Sequence, residues 1–180
     1  LAHESVVDFT AVDVTDPREP VVILQQMLPH PRMRSNSLAL VGDTMYVAHQ
    51  TQEWGLPDSG MVIYDISTPE KPRVIGNFDT APSQGTHVLW CVDGQFAHLA
   101  TAMPDAKPRF KQDHQMYVTV DVNDPTKPFE VGRWAVPGVM EDDGESPIVR
   151  HEPDGGSSAH NTAVYPERPD RAYCCFKDAG

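Results

Sequence analysis

The sequence has few basic residues and no long apolar run, and each absence argues against one class of function. It contains 14 Lys and Arg against 26 Asp and Glu, a formal net charge of -12 in 180 residues. Nucleic acid is not an expected partner, because binding a phosphate backbone requires clustered basic side chains. No segment approaches the roughly 18 apolar residues of a membrane helix, so membrane insertion is not expected. The composition indicates a soluble, acidic globular protein.

Cysteine is also scarce, which argues against a disulfide framework. The three cysteines are Cys91, Cys174 and Cys175, an odd number. Cys174 and Cys175 are not expected to pair, because adjacent strand residues point to opposite faces. All three lie in apolar, strand-like runs, so we expect buried, unreactive thiols. The compartment stays open between bacterial cytoplasm, periplasm and the extracellular space.

Several catalytic signatures are missing. The chain contains no Gly-x-Ser-x-Gly elbow, phosphate loop, dinucleotide fingerprint or paired-cysteine zinc motif. No segment keeps a 3.6-residue apolar period. The 17 prolines and 12 glycines are instead typical of many short strands joined by tight turns.

One segment recurs three times, at 10–20, 62–72 and 118–128. Each copy is a β-branched strand followed by the spacing Asp-x-x-x-Pro-x-x-Pro. The aspartate can accept hydrogen bonds from the backbone N–H groups ahead of it, and the first proline fixes φ in the turn. Strand–turn–strand hairpins around Gly and Asp lie between the copies, at 37–48 and 88–100.

Each period therefore holds four strands, which predicts one blade of a β-propeller. A two-sheet sandwich is the alternative. We predict an all-β chain that forms one partial propeller domain over residues 1–180, with four-stranded antiparallel blades. The proposed parts are a half-blade at 6–27, blades at 37–79 and 86–136, and a half-blade at 159–177.

The repeats resemble the LVIVD-repeat family. The name-giving strand of that family corresponds here to residues 10–14, 62–66 and 118–122. Residues 132–134 and 171–180 are also similar to stretches of bacterial members. The resemblance implies a β-propeller over nearly the whole chain and carries little information about function. Long loops at 104–114 and 139–158 depart from the family pattern.

About three blade equivalents leave a ring open, since propellers close with about four to eight blades. We therefore expect the chain to contribute to a ring of about six to eight blades. It does so either as part of a longer protein or as one of two copies that pool their blades. The remainder of the propeller is thus an expected partner.

Two histidines occupy equivalent positions at the beginning of inner strands, where propeller ligands approach the central channel. These are His87 and His160, and residues 34–36 take the place in the first blade. Neutral imidazoles that converge on an axis can bind a transition metal such as Fe, Cu or Zn. The alternative is that both histidines pack the channel and bond to backbone. His87 and His160 are our main candidate metal ligands.

Other residues are further candidates. His114, before a third strand, and His151, in the long insertion, are candidate metal ligands. Trp54, Asp113 and Glu152 are candidate contacts for a ligand. His30, His49 and His98 are expected to be structural, and no catalytic residue is assigned.

Three functions remain open from the sequence. A metal in the channel would activate water or dioxygen in a hydrolase, lyase or oxidase acting on a small molecule. The second is a non-catalytic module that binds a protein or glycan through its rim loops. The third is a bare scaffold. Further histidines in other blades would favour the enzyme.

Overall fold

The computed structural model describes residues 7–150 and 155–179. Within this part the chain is all-β, with short 3-10 turns at Lys111–Asp113 and Lys177–Ala179. The strands are β1 (Val7–Asp13), β2 (Val21–Met27), β3 (Met33–Val41), β4 (Thr44–Thr51), β5 (Gly60–Asp65), β6 (Arg73–Asp79), β7 (Thr86–Trp90), β8 (Phe96–Ala102), β9 (Gln115–Asp121), β10 (Phe129–Trp134), β11 (Ala159–Tyr165) and β12 (Arg168–Phe176).

The strands of the described residues form four antiparallel sheets. β3–β4–β5–β6 and β7–β8–β9–β10 are four-stranded meanders, and β1–β2 and β11–β12 are two-stranded. Each four-stranded sheet follows chain order, as in a propeller blade. The predicted all-β propeller fold is confirmed.

Local turn chemistry explains why the strands end where they do. The carboxylates of Asp13, Asp65 and Asp121 each accept a hydrogen bond from the backbone N–H two residues further on. The distances are 2.8, 2.9 and 2.9 Å. Such Asx turns reverse the chain directly after a strand. The recurring Asp is therefore a structural element of the repeat.

The main apolar core lies between the two four-stranded sheets. Its largest fully buried side chains include Tyr46, Ile63, Leu89 and Leu99. The sheets also approach closely between β6 and the turn that joins β9 to β10, where a Cβ on Gly76 would overlap the backbone of Pro125. At the inner side, β7 packs against both β3 and β11. This packing sets three inner strands from different repeats side by side.

Two further expectations concern the cysteines and the membrane. Cys91 is buried and Cys174 is partly exposed, but Cys175 is exposed, so the expectation of three buried thiols is wrong. Cys175 lies in β12, where burial alternates between Ala172 and Phe176 and the side chain of Cys175 falls on the exposed face. In the described part of the chain, no helix has the length and apolar character needed to cross a membrane.

Candidate ligand site at the channel mouth

The inner strands β3, β7 and β11 bring three polar side chains together. His87 is the second residue of β7, and His160 is the second residue of β11. The Nε2 atoms of these two histidines are 3.3 Å apart, and their ring centroids are 4.8 Å apart. On the other side, Asn36 Nδ2 of β3 lies 3.0 Å from His87 Nδ1. The equivalence that the repeats predict is thus a contact in space.

The buried Gln50 of β4 holds this row in place. Its Oε1 atom accepts hydrogen bonds from Arg34 Nε at 3.1 Å, Arg34 Nη2 at 2.8 Å and Asn36 Nδ2 at 2.8 Å. His87 Nδ1 lies 2.9 Å from the same oxygen. These contacts orient the imidazole of His87 so that Nε2 faces His160.

His87 is neutral at pH 7. Burial, together with the smaller effects of His160, Arg34, Lys177 and His114, lowers the pKa of this imidazole to about 4. A neutral imidazole keeps one nitrogen lone pair, which can accept a hydrogen bond or bind a metal. The pair His87–His160 therefore makes its close contact without two positive charges facing each other.

A pocket of about 460 Å³, here called the channel-mouth pocket, lies beside His87. His114 lines it and donates from Nδ1 to the carbonyl oxygen of Lys111 at 2.8 Å. This bond leaves Nε2 of His114 as an acceptor. Burial lowers the pKa of His114 as well. Two neutral histidines thus face one pocket.

The candidate ligand contacts Trp54 and Asp113 lie in different parts of the structure. Trp54 lies beside His114 with ring centroids 6.1 Å apart, and it is 39% exposed at the rim. Asp113 is completely buried and does not line the channel-mouth pocket. Its carboxylate pairs with Arg150 and accepts from the backbone N–H of Ser157 at 2.6 Å. Asp113 therefore ties the long loop to the blade.

His151 and Glu152 lie outside the described residues. The remaining histidines within the described residues, His30, His49 and His98, have partners within the fold, in keeping with structural roles. His30 Nε2 lies 3.2 Å from the carbonyl oxygen of Pro57, and His98 Nδ1 lies 2.7 Å from the hydroxyl of Tyr117. His49 belongs to a buried cluster with Asp8 and Tyr64.

Sequence reasoning missed Arg34, Gln50 and Lys177 as residues of the site. Arg34 lies in the segment that aligns with the histidine positions, so the repeat alignment could have predicted that Arg34 lies near the site. Gln50 and Lys177 follow no repeated pattern, and only the packing of the strands brings them to the pocket. In the described ranges 7–150 and 155–179, no group of three or more His, Cys, Asp or Glu side chains is arranged to hold a metal.

Comparison with known families supports the interpretation of the repeats. The family model of the LVIVD repeat matches residues 34–80. Residues 34–80 therefore contain an LVIVD repeat. The matched segment covers nearly the whole of the sheet β3–β6, so the LVIVD repeat corresponds here to one blade. No curated protein matches the chain.

Proposed function

We propose that this LVIVD-repeat propeller holds one transition metal ion, Fe, Cu or Zn, between His87 and His160. The distance between the two Nε2 atoms, 3.3 Å, supports the proposal. In a tetrahedral site with metal–nitrogen bonds of about 2.0–2.1 Å, two ligand nitrogens lie about 3.3–3.4 Å apart. The two rings already have the spacing that such an ion requires.

The surroundings of His87 also suit a metal ligand. A metal on Nε2 leaves the proton of the neutral imidazole on Nδ1, which then needs an acceptor. Gln50 Oε1 is 2.9 Å from Nδ1 and would accept the hydrogen bond of that proton. A carbonyl in this role fixes the tautomer and orientation of the ligand.

Two protein nitrogens leave coordination positions open for water or a substrate. Open positions are typical of catalytic rather than structural metal sites. A bound ion would supply Lewis acidity, an activated water or a binding site for dioxygen. A metal-dependent hydrolase, lyase or oxidase is therefore the proposed enzyme class.

Metal content tests this proposal. The purified assembly is stripped of metal, incubated with Fe, Cu or Zn salts in turn, desalted and measured by elemental analysis. We expect about one ion per chain for at least one metal. The double variant His87→Gln/His160→Gln should lose it, and His30→Gln should retain it. Metal-free wild-type protein, or full retention in the double variant with an unchanged far-UV spectrum, would refute the proposal.

A non-catalytic binding module is the second candidate, and contacts between the described parts of the two long loops favour it. A β-bridge joins Pro108 to Met140, and Arg109 Nη2 donates to the carbonyl oxygen of Glu145 at 3.1 Å. These contacts connect the two long loops into one surface. A protein or glycan that binds there would lose affinity on Arg109→Ala, while metal content would stay unchanged.

We also propose that the remainder of a propeller completes these sheets. By the repeat, β11–β12 corresponds to the first two strands of a blade, and β1–β2 to the last two. The two kinds of half-sheet are complementary, so a second copy or further blades of the same protein would complete them. The molar mass in solution, by light scattering, distinguishes a monomer from two copies.

A further inference from the structure

The channel-mouth pocket has a charge opposite to that of the protein. The chain carries 26 acidic and 14 basic residues. Among the residues that the structure describes, nine line the pocket, and they include Arg34 and Lys177 and not one carboxylate. An acidic protein that collects cations around one concave pocket creates a local field that attracts anions.

These cations are not neutralised by the part of the chain that the structure describes. Other arginines pair with carboxylates, such as Arg133 with Asp105 at 2.7 Å and Arg73 with Asp65. No carboxylate of the described residues forms an ion pair with Arg34 or Lys177. Arg34 bonds instead to the uncharged amide oxygen of Gln50.

The geometry of Arg34 leaves donors for a ligand. A guanidinium has five N–H groups in a planar fork. Arg34 directs one from Nε and one from Nη2 to Gln50 Oε1, which fixes the plane of the group. The remaining N–H groups, two on Nη1 and one on Nη2, suit the paired oxygens of a carboxylate or a phosphate.

The rest of the lining is polar. Gln84 and Gln115 present side-chain amides, and His87 and His114 present imidazoles. Such groups can donate to or accept from hydroxyl and carbonyl groups. A volume of about 460 Å³ lies within the range of small-molecule sites, about 300–1,000 Å³.

We infer that the channel-mouth pocket binds a small organic anion, whose carboxylate or phosphate group pairs with Arg34 and Lys177. The inference goes beyond the proposed metal site and does not require a metal. It also complements that site, because a bound anion would offset the positive charge of a metal ion that lies near Arg34 and Lys177.

Calorimetric titration of metal-free protein tests the inference. The probes are inorganic phosphate, succinate and citrate, with glucose as the uncharged comparison. We expect at least one anion to bind with an affinity that falls as salt is added, since the contact is ionic. Binding of phosphate alone would assign a phosphate ligand, and binding of the carboxylates alone would assign an organic acid.

Charge variants locate the site. Lys177→Gln and Arg34→Gln should each weaken binding about tenfold, and Arg34→Lys should restore part of the loss. Lys71→Gln, in an exposed turn of a blade, is the matched control and should bind as the wild type does. Lys177 is exposed in a terminal 3-10 turn, so its variant is expected to fold even if Arg34→Gln does not.

Three results would overturn the inference. They are equal affinity for glucose and the anions, unchanged affinity in Lys177→Gln and Arg34→Gln, and no binding of any probe at millimolar concentration. Metal content is measured on separate samples. A result that refutes the anion site can therefore be distinguished from one that refutes the metal site.

Discussion

Replacing Asp8 with alanine tests how the first two-stranded sheet is held against the neighbouring blade. Asp8 lies in β1, and its carboxylate is completely buried. Oδ1 is 3.1 Å from His49 Nε2 of β4, and Oδ2 accepts from the Tyr64 hydroxyl of β5 at 3.1 Å. Asp8 also raises the pKa of Tyr64, in addition to the effect of burial. The carboxylate thus joins two sheets through two buried hydrogen bonds.

The magnitude follows from these bonds. A hydrogen bond to a charged group contributes about 1.5–3 kcal/mol, and removing one partner of a buried pair costs about 3–5 kcal/mol. Alanine would leave both His49 Nε2 and the Tyr64 hydroxyl without this hydrogen-bond partner. We expect Asp8→Ala to lower the free energy of unfolding by about 3 kcal/mol, and Tyr64→Phe by about 1–2 kcal/mol.

Urea denaturation monitored by circular dichroism measures both values. Asp142→Ala is the control, because Asp142 is exposed in a loop and a surface change of this kind costs less than about 0.5 kcal/mol. The double variant Asp8→Ala/Tyr64→Phe should lose less than the sum of the single variants, since both remove the same bond. If Asp8→Ala matches the control, the carboxylate does not hold the sheets together.

Three further changes have defined outcomes. Because the folded-state pKa of His87 is about 4 against about 6.5 unfolded, the unfolded chain binds more protons between these values. The free energy of unfolding should therefore fall as the pH drops from about 6.5 to about 4. In His87→Gln this decrease should be smaller, and the urea midpoint at each pH measures it. Gly85→Ala should cost at least about 2 kcal/mol more than Gly144→Ala in urea unfolding. Both glycines have φ near +80°, but only a Cβ at Gly85 would overlap backbone. Asp113→Asn should speed proteolysis within 137–158 without changing the far-UV spectrum; an unchanged cleavage rate would contradict its tethering role.

Much of the candidate site followed from the repeat. Asn36, His87 and His160 occupy equivalent positions on inner strands, and the structure places them in one row. Equivalent residues of successive blades become neighbours in space because each blade repeats the same path. The assignment of a metal to this row stays a prediction.

Other features depended on the packing of distant segments. Asp8 meets His49 and Tyr64 across two sheets, and the strand pattern gives no hint of the pairing. Asp113 lies beside His114 in the sequence, yet it is buried and faces the long loop instead of the pocket. Cys175 has an apolar, strand-like neighbourhood in sequence but lies on an exposed face.

The sequence by itself determined the repeat, the four-strand pattern and the Asx turns, because alternation and turn chemistry act between residues close along the chain. Tertiary structure alone decided which polar side chains share the channel mouth. Arg34, Gln50 and Lys177 come from three separate strands or turns. Their distances depend on how the inner strands pack, and that packing is a property of all the sheets together.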